Sequence, residues 1–185
     1  MANCKVVYGI TNVCSDLLQA SGADKDFYVG YISDLGADIS LTQTGSISSL
    51  SFVAYMGLVK FEGQKFANSF SHEGLVGAGG GVSIKHMATV KMMPLSTQDD
   101  VEVQRLLQAQ DMFMIMQGNN DDFYILGPSK GMRYVAGPIR TSGTAEGEDV
   151  ASSLSFVGNE KVLPLRFSLG TTKKAIINYL DGLVR

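Results

Sequence analysis

The side chains with the widest chemical range are few. His72 and His86 are the only histidines, and Cys4 and Cys14 the only cysteines. Both histidines lie in alternating stretches on either side of Gly77-Ala78-Gly79-Gly80-Gly81. A hairpin closing symmetrically about Gly79 would set the two imidazoles opposite each other, and with Cys4 or Cys14 they offer a ligand set for Zn²⁺. The spacing argues against a metal, because no CxxC, HxxxH or HExxH is present. The pair reads as ordinary, partly exposed strand histidines, with nothing further to support general acid–base work. The glycine run reads as a long, mobile hairpin tip and not as a phosphate loop. A nucleotide fingerprint needs a helix whose N-terminus meets the phosphates, and here the chain re-enters an extended pattern at Val82. Gly127-Pro128-Ser129-Lys130-Gly131 also lacks the required spacing and reads as a tight turn. Carboxylates gather at Asp99-Asp100-Glu102, Asp121-Asp122 and Glu146-Glu148-Asp149, none with the alternating ligands, glycine and distal Glu of a Ca²⁺ loop. They read as helix-start and turn residues. No GxSxG occurs, and Gly143-Thr144-Ala145-Glu146-Gly147 reads as a loop. Lys173, Lys174 and Arg185 form a mildly basic, solvated face, and the alternating Met112, Met114 and Met116 read as core or interface filler. We therefore expect no enzyme, and assign no catalytic, cofactor-binding or metal residue and no cofactor.

The elements that carry these residues follow from composition and pattern. The chain has 185 residues, 45% hydrophobic and 18% charged, with 21 Gly and no Trp. That length suits a single domain, 1–185, burying roughly 70% of its unfolded surface. The net charge of −3 disfavours a nucleic-acid binder that works through a basic face. The sparse charge fits a surface hidden against partners. No secretory signal follows Met1, and the charge-free run from Ile39 to Val59 is interrupted by hydroxyls and amides, so no membrane span is expected. Two cysteines fit free thiols in a reducing cytoplasm.

An N-terminal segment, 1–25, contains a candidate short helix from Val13 to Ala20, with Asn12 as cap and Gly22 as stop. Phe27 to Ile32 reads as a strand. Ile47 to Phe61 alternates as one long strand, with Leu50, Phe52, Met56 and Leu58 on its more apolar face. Lys65 to Met93 is the most informative stretch. Period-two patterning on both sides of the glycines predicts a hairpin with arms of about ten residues, long against a usual strand of ~5–6. Such edges invite pairing with another chain. Ser96 then opens an amphipathic helix of about twelve residues, with Val103, Leu106 and Leu107 on one face. Strands follow at Asp111–Gln117, Phe123–Leu126, Met132–Ala136, Val150–Val157 and Val162–Phe167, with turns between them, including Gly158 to Lys161. A helix over Thr171–Leu183, within the segment 170–185, closes the chain with Ala175, Ile176, Tyr179, Leu180 and Leu183 as its stripe. The fold class expected is mainly β, a β-rich α+β chain. It would be an antiparallel sandwich or barrel with one packed amphipathic helix, a long hairpin and a C-terminal helix.

One run is familiar as a series. Leu106-Leu107-Gln108-Ala109-Gln110-Asp111 leads through Phe113–Gln117 into Gly118-Asn119-Asn120-Asp121-Asp122-Phe123-Tyr124-Ile125-Leu126-Gly127. Lys130-Gly131-Met132, Gly143–Gly147 and Leu154-Ser155-Phe156-Val157-Gly158-Asn159-Glu160 follow in order. This series, about a third of the chain, resembles the tail tube proteins of tailed bacteriophages that infect Bacteroidetes. Cys14 and the Phe27–Ile32 strand fall where that group has its opening segment and first strand. The Gly77–Gly81 tip and the C-terminal helix depart from the pattern. The resemblance implies a virion structural protein, assembled in the host bacterial cytoplasm, whose copies form hexameric rings that stack into a tube. Its partners would be itself, other virion tail proteins, and DNA passing through the lumen without sequence-specific binding, with no membrane. Lys65–Met93 would line the lumen with Ile47–Phe61 beside it, and an acidic chain would repel the DNA it conducts. Another virion component (a head–tail connector, tail terminator or capsid decoration protein) is the alternative.

Overall fold

Met112 to Gly118 holds no charged residue, and all seven of its positions are buried. A strand covered on both faces must lie inside a layered structure. The computed structural model places it there, and describes residues 22–42, 45–64, 67–93, 96–118, 121–137, 139, 151–168 and 172–185. In chain order the strands are β1 (Ala23–Tyr31), β2 (Ser40–Leu41), β3 (Ile47–Ser49), β4 (Val59–Glu62), β5 (Ser69–Val76), β6 (Val82–Met92), β7 (Met112–Gly118), β8 (Phe123–Leu126), β9 (Arg133–Ala136), β10 (Ser152–Glu160) and β11 (Leu165–Arg166). The helices are α1 (Thr97–Gln108) and α2 (Lys173–Asp181). One sheet has the order β11-β8-β7-β1-β4 and a second the order β5-β6-β10-β9, with β2-β3 as a small ribbon. Every strand pair is antiparallel. The fold is the expected mainly-β class, with two α-helices among the described residues.

Two cores flank β7. Between the sheets, Phe27, Val29, Met112, Met114, Met116 and Leu126 meet Ala88, Val90, Met92, Leu154 and Phe156, all buried. The alternating methionines are therefore core, as their spacing predicted. Helix α1 begins with a capping box: the Ser96 hydroxyl accepts from the Asp99 amide at 3.1 Å, and the Asp99 carboxylate accepts from the Ser96 amide at 2.8 Å. Its Val103 and Leu106 enter the same core.

On the other face of the five-stranded sheet, Tyr28, Phe113, Ile115, Phe123 and Ile125 pack against Ile47, Leu50, Leu58 and the α2 residues Ile176 and Leu180. Burying each of those two helix side chains contributes about 1.5–3 kcal/mol. Polar contacts fix the helix in place. The Tyr179 hydroxyl accepts from the Leu50 amide at 2.7 Å and donates to the Leu50 carbonyl at 3.2 Å. The Tyr28 hydroxyl donates to Asp181 at 2.8 Å, and Lys60 reaches the same carboxylate at 3.0 Å. Burial and that acceptor push the Tyr28 hydroxyl up to about 12. Of the five stripe residues expected on this helix, Ala175 is exposed.

Ile47 to Phe61 is not one strand. It divides into β3 and β4, joined by an irregular stretch with a turn at Ala54–Tyr55, where Tyr55 has φ 67°. The reason is tertiary. Leu58 pairs with the C-terminal backbone, its amide on the Leu183 carbonyl at 2.8 Å, and a Cβ on Gly57 would lie 2.4 Å from that same oxygen. The Ile47–Phe61 stretch also does not lie beside the hairpin, since β4 pairs with β1 in the other sheet. β10 runs on through the expected 158–161 turn to Glu160, and the Val162–Phe167 strand shrinks to Leu165–Arg166. The Val13–Ala20 helix, Cys4, Cys14, Gly143–Gly147 and the Glu146–Asp149 cluster lie outside the described residues.

Candidate functional site

The hairpin has the symmetric register. β5 and β6 pair from Ser69↔Thr89 to Val76↔Val82, with His72 directly opposite His86. Gly77–Gly81 forms a closed turn rather than a long loop: the Gly77 amide donates to Gly81 at 2.8 Å, and the Gly80 amide to Gly77 at 2.9 Å. The third strand, β10, accompanies β6 only as far as Glu160↔Ile84. Beyond that point the hairpin is a two-stranded ribbon carrying exposed Leu75, Val76 and Val82.

Two edges of this four-stranded sheet are open among the described residues, the outer side of β5 and the outer side of β9. Antiparallel pairs alternate between hydrogen-bonded and non-hydrogen-bonded. Counting from the Gly77–Gly81 bond, Leu75↔Ser83, Glu73↔Lys85 and Ser71↔Met87 are the bonded pairs. The backbone N–H and C=O groups of His72, Gly74 and Val76 therefore point to the free edge. The face of this sheet turned away from the core presents Ser83, Lys85, Met87, Thr89 and Lys91 on β6 against Asn159, Val157, Ser155 and Ser153 on β10. Thr89 and Ser155 join their hydroxyls across it at 3.1 Å.

Buried polar groups anchor the hairpin at three points. Asn68, 1% exposed, ties the two sheets together at its base. Its amide nitrogen donates to the Asp24 and Lys25 carbonyls at 3.1 and 3.0 Å, and its oxygen accepts from the Lys91 amide at 3.0 Å. His86, expected to be partly exposed, is instead fully buried, because the Gly127 and Val162 backbones close over it. Its Nδ1 accepts from the Gly127 amide at 3.2 Å, so Nε2 carries the proton and donates to the Val162 carbonyl at 2.9 Å. Burial pulls its pKa below the ordinary value, against the Val162 hydrogen bond and the Glu160 charge. Glu160, 2% exposed, accepts from the Ser129 and Lys130 amides at 2.9 and 2.8 Å. The Gly127–Gly131 turn thus does gather an anion, the chain's own carboxylate.

The residues that close the 106–160 series have structural work here. Phe156 fills the core, Gly158 leaves room for the Gly131 carbonyl, which an added Cβ would approach to 2.5 Å, and Glu160 holds the turn. Local pattern places Glu160 in the 158–161 turn and gives no mark to Asn68. The available signal was a lone carboxylate ending an apolar alternation, together with a Gly-Pro-Ser-Lys-Gly turn whose amides need acceptors.

The remaining candidates disperse. No group of three or more His, Cys, Asp or Glu able to hold a metal occurs among the described residues. Asp99 caps α1, and Glu102 pairs with Arg105 at 2.6 Å. Asp121 meets Lys173 at 3.1 Å and Asp122 meets Arg166 at 3.5 Å. Lys173 also reaches Asp24 at 3.3 Å, so it is a sheet contact and not part of a solvated basic face. An open groove of about 580 Å³ lies between Ile32–Ile39, Pro128–Ser129 and the Val162–Leu165 segment, largely apolar in its lining. No described helix is long and apolar enough to cross a membrane. Comparison with protein-family models, with curated proteins and with solved structures returned no match.

Proposed function

We propose that this chain is a phage virion structural protein whose copies close side by side into rings, six to a ring, that stack into a DNA-conducting tail tube. The observation that carries this reading is the four-stranded sheet β5-β6-β10-β9, whose outer strands β5 and β9 have no further strand partner among the described residues. Its strands alternate in direction and are even in number, so β9 of one copy runs antiparallel to β5 of the next. Joining them extends an antiparallel sheet without a break, and the contact is heterologous, which closes by rotation into a ring. Six copies supply about 24 strands, which at ~4.8 Å spacing enclose a barrel roughly 37 Å or more across. That bore admits a DNA duplex.

The face that would line the bore is rich in hydroxyls, as suits a surface that DNA slides past. Its charge differs from the acidic lining expected from the whole chain: Lys85, Lys91 and Arg133 stand against Glu73. The net charge of −3 therefore resides elsewhere on the subunit. The engagement of His86, Glu160, Asp99, Asp121 and Lys173 in folding contacts supports a non-catalytic role.

Negative-stain imaging of the purified chain, with sedimentation velocity over a concentration series, tests the reading. Rings with a central channel, or tubes built from them, are expected. A particle that stays monomeric at high concentration overturns it.

A further inference from the structure

Among the described residues nothing fills the apolar hairpin tip or the 580 Å³ groove, and the two lie at the same end of the sandwich. The β10 partner of Ile84 is Glu160, and two residues later Val162 forms part of the groove wall. His86 bonds both Val162 and Gly127, next to Pro128 on the opposite wall. From there the ribbon projects about 15 Å beyond Ile84 at a strand's rise per residue. Its own strand pairing, held through Val76↔Val82, keeps it extended.

The glycines of the ribbon point outward as well. A Cβ added at Gly74, Gly79, Gly80 or Gly81 would meet nothing within 4 Å, and of these only Gly80, at φ +77°, needs its conformational freedom. Gly74 stands inside a strand, where glycine weakens the element unless another backbone comes close. No neighbour among the described residues supplies that reason.

Resting on the ring reading, we infer that the hairpin tip of one copy, with Val76 and Val82 paired on one face, seats in the apolar groove of the adjacent copy between Ile32, Leu35, Ile39, Pro128, Val162 and Leu165. The occupant is a second copy of this chain because the same chain offers both halves, an exposed apolar knob and an open apolar slot. Tip and slot share one end of the subunit, so a rotation with little translation brings them together, as a closed ring requires. The seated tip also continues the β5 edge that the ring joins, so the two contacts form one interface. The small glycine surface lets the ribbon backbone lie against the neighbour.

The test uses two full-length chains, each with Cys4→Ser and Cys14→Ser. One carries V76C on the tip and the other A37C on the exposed groove rim. The two are mixed, allowed to assemble and mildly oxidised. A disulfide-linked dimer from the mixture, absent from either chain alone, is the expected result, together with an at least tenfold higher assembly concentration for V76S/V82S. Rings without the mixed link overturn the seat while leaving the ring reading intact; a groove filled by residues 1–21 gives this outcome. A V76C–V76C link places tip on tip and overturns the seat. Failure of the parent chain to assemble overturns the ring reading, and the seat with it.

Discussion

Replacing Gly74 by proline separates the edge of β5 from the hairpin itself. Gly74 lies opposite Ile84 in a non-hydrogen-bonded pair, its amide directed away from β6, and a Cβ there meets nothing within 4 Å. Proline at such an edge position removes no ladder bond, and its fixed φ lowers the entropy of the unfolded chain. The isolated subunit should therefore keep its melting temperature within the shift of about 1 kcal/mol. In the ring, G74P removes one donor and leaves the facing acceptor of the neighbouring β9 buried and unpaired. Those two effects together amount to about 2–3 kcal/mol per interface. At 1.4 kcal/mol per decade this raises the assembly concentration by about 30- to 140-fold. Sedimentation velocity across a dilution series reads it directly. The matched variant E73P strikes a bonded pair, so it should lower subunit stability by about 3 kcal/mol. If G74P assembles at the parent concentration, the β5 edge is not the joint, and the argument from open edges fails.

Other expectations concern the anchors. N68A removes the acceptor of the Lys91 amide and the donor to two carbonyls, and should destabilise the subunit by about 2–4 kcal/mol in urea titration; an unchanged midpoint refutes its bridging role. E160Q keeps one oxygen for the Ser129 and Lys130 amides but loses the charge, for a loss of about 1–2 kcal/mol, with E160A losing more. His86, neutral and with its pKa held below the ordinary value, binds fewer protons folded than unfolded. Stability contributed by His86 should thus be complete above the unfolded value near 6.5 and decline as pH falls from there toward the folded pKa; H86F, which cannot titrate, should flatten that slope in melting scans. L180A opens a cavity under α2 and should lower stability by about 2–4 kcal/mol, whereas A175S on the exposed side should change it by less than about 0.5 kcal/mol.

Local pattern sufficed for much of the fold. The hairpin register, the capped twelve-residue α1, the buried methionines and the C-terminal helix were all legible, because alternation, capping and helical spacing are properties of neighbours in sequence. The errors came where distant residues intervene. The 47–61 stretch alternates well enough for a strand, yet the docking of the C-terminal backbone on Gly57 and Leu58 breaks it. Val162 to Phe167 carries strand-forming residues, but its pairing with β8 begins at Leu165 and ends with the Phe167 amide on the Phe123 carbonyl. The turn expected at 158–161 is strand because Gly158 and Glu160 match β6 across the sheet and face the Gly127–Gly131 loop.

The same division holds for the site. That β5 and β6 form a hairpin with His72 opposite His86 follows from spacing about Gly79, since a symmetric turn allows one register. Which histidine is buried, which edges stay open, and that tip and groove share one end depended on the packing of the two sheets. Those are relations between residues far apart in the chain, and no local periodicity encodes them. Burial of a strand is decided by what covers it, and here the cover for β7 comes from elements as distant as β1 and α2.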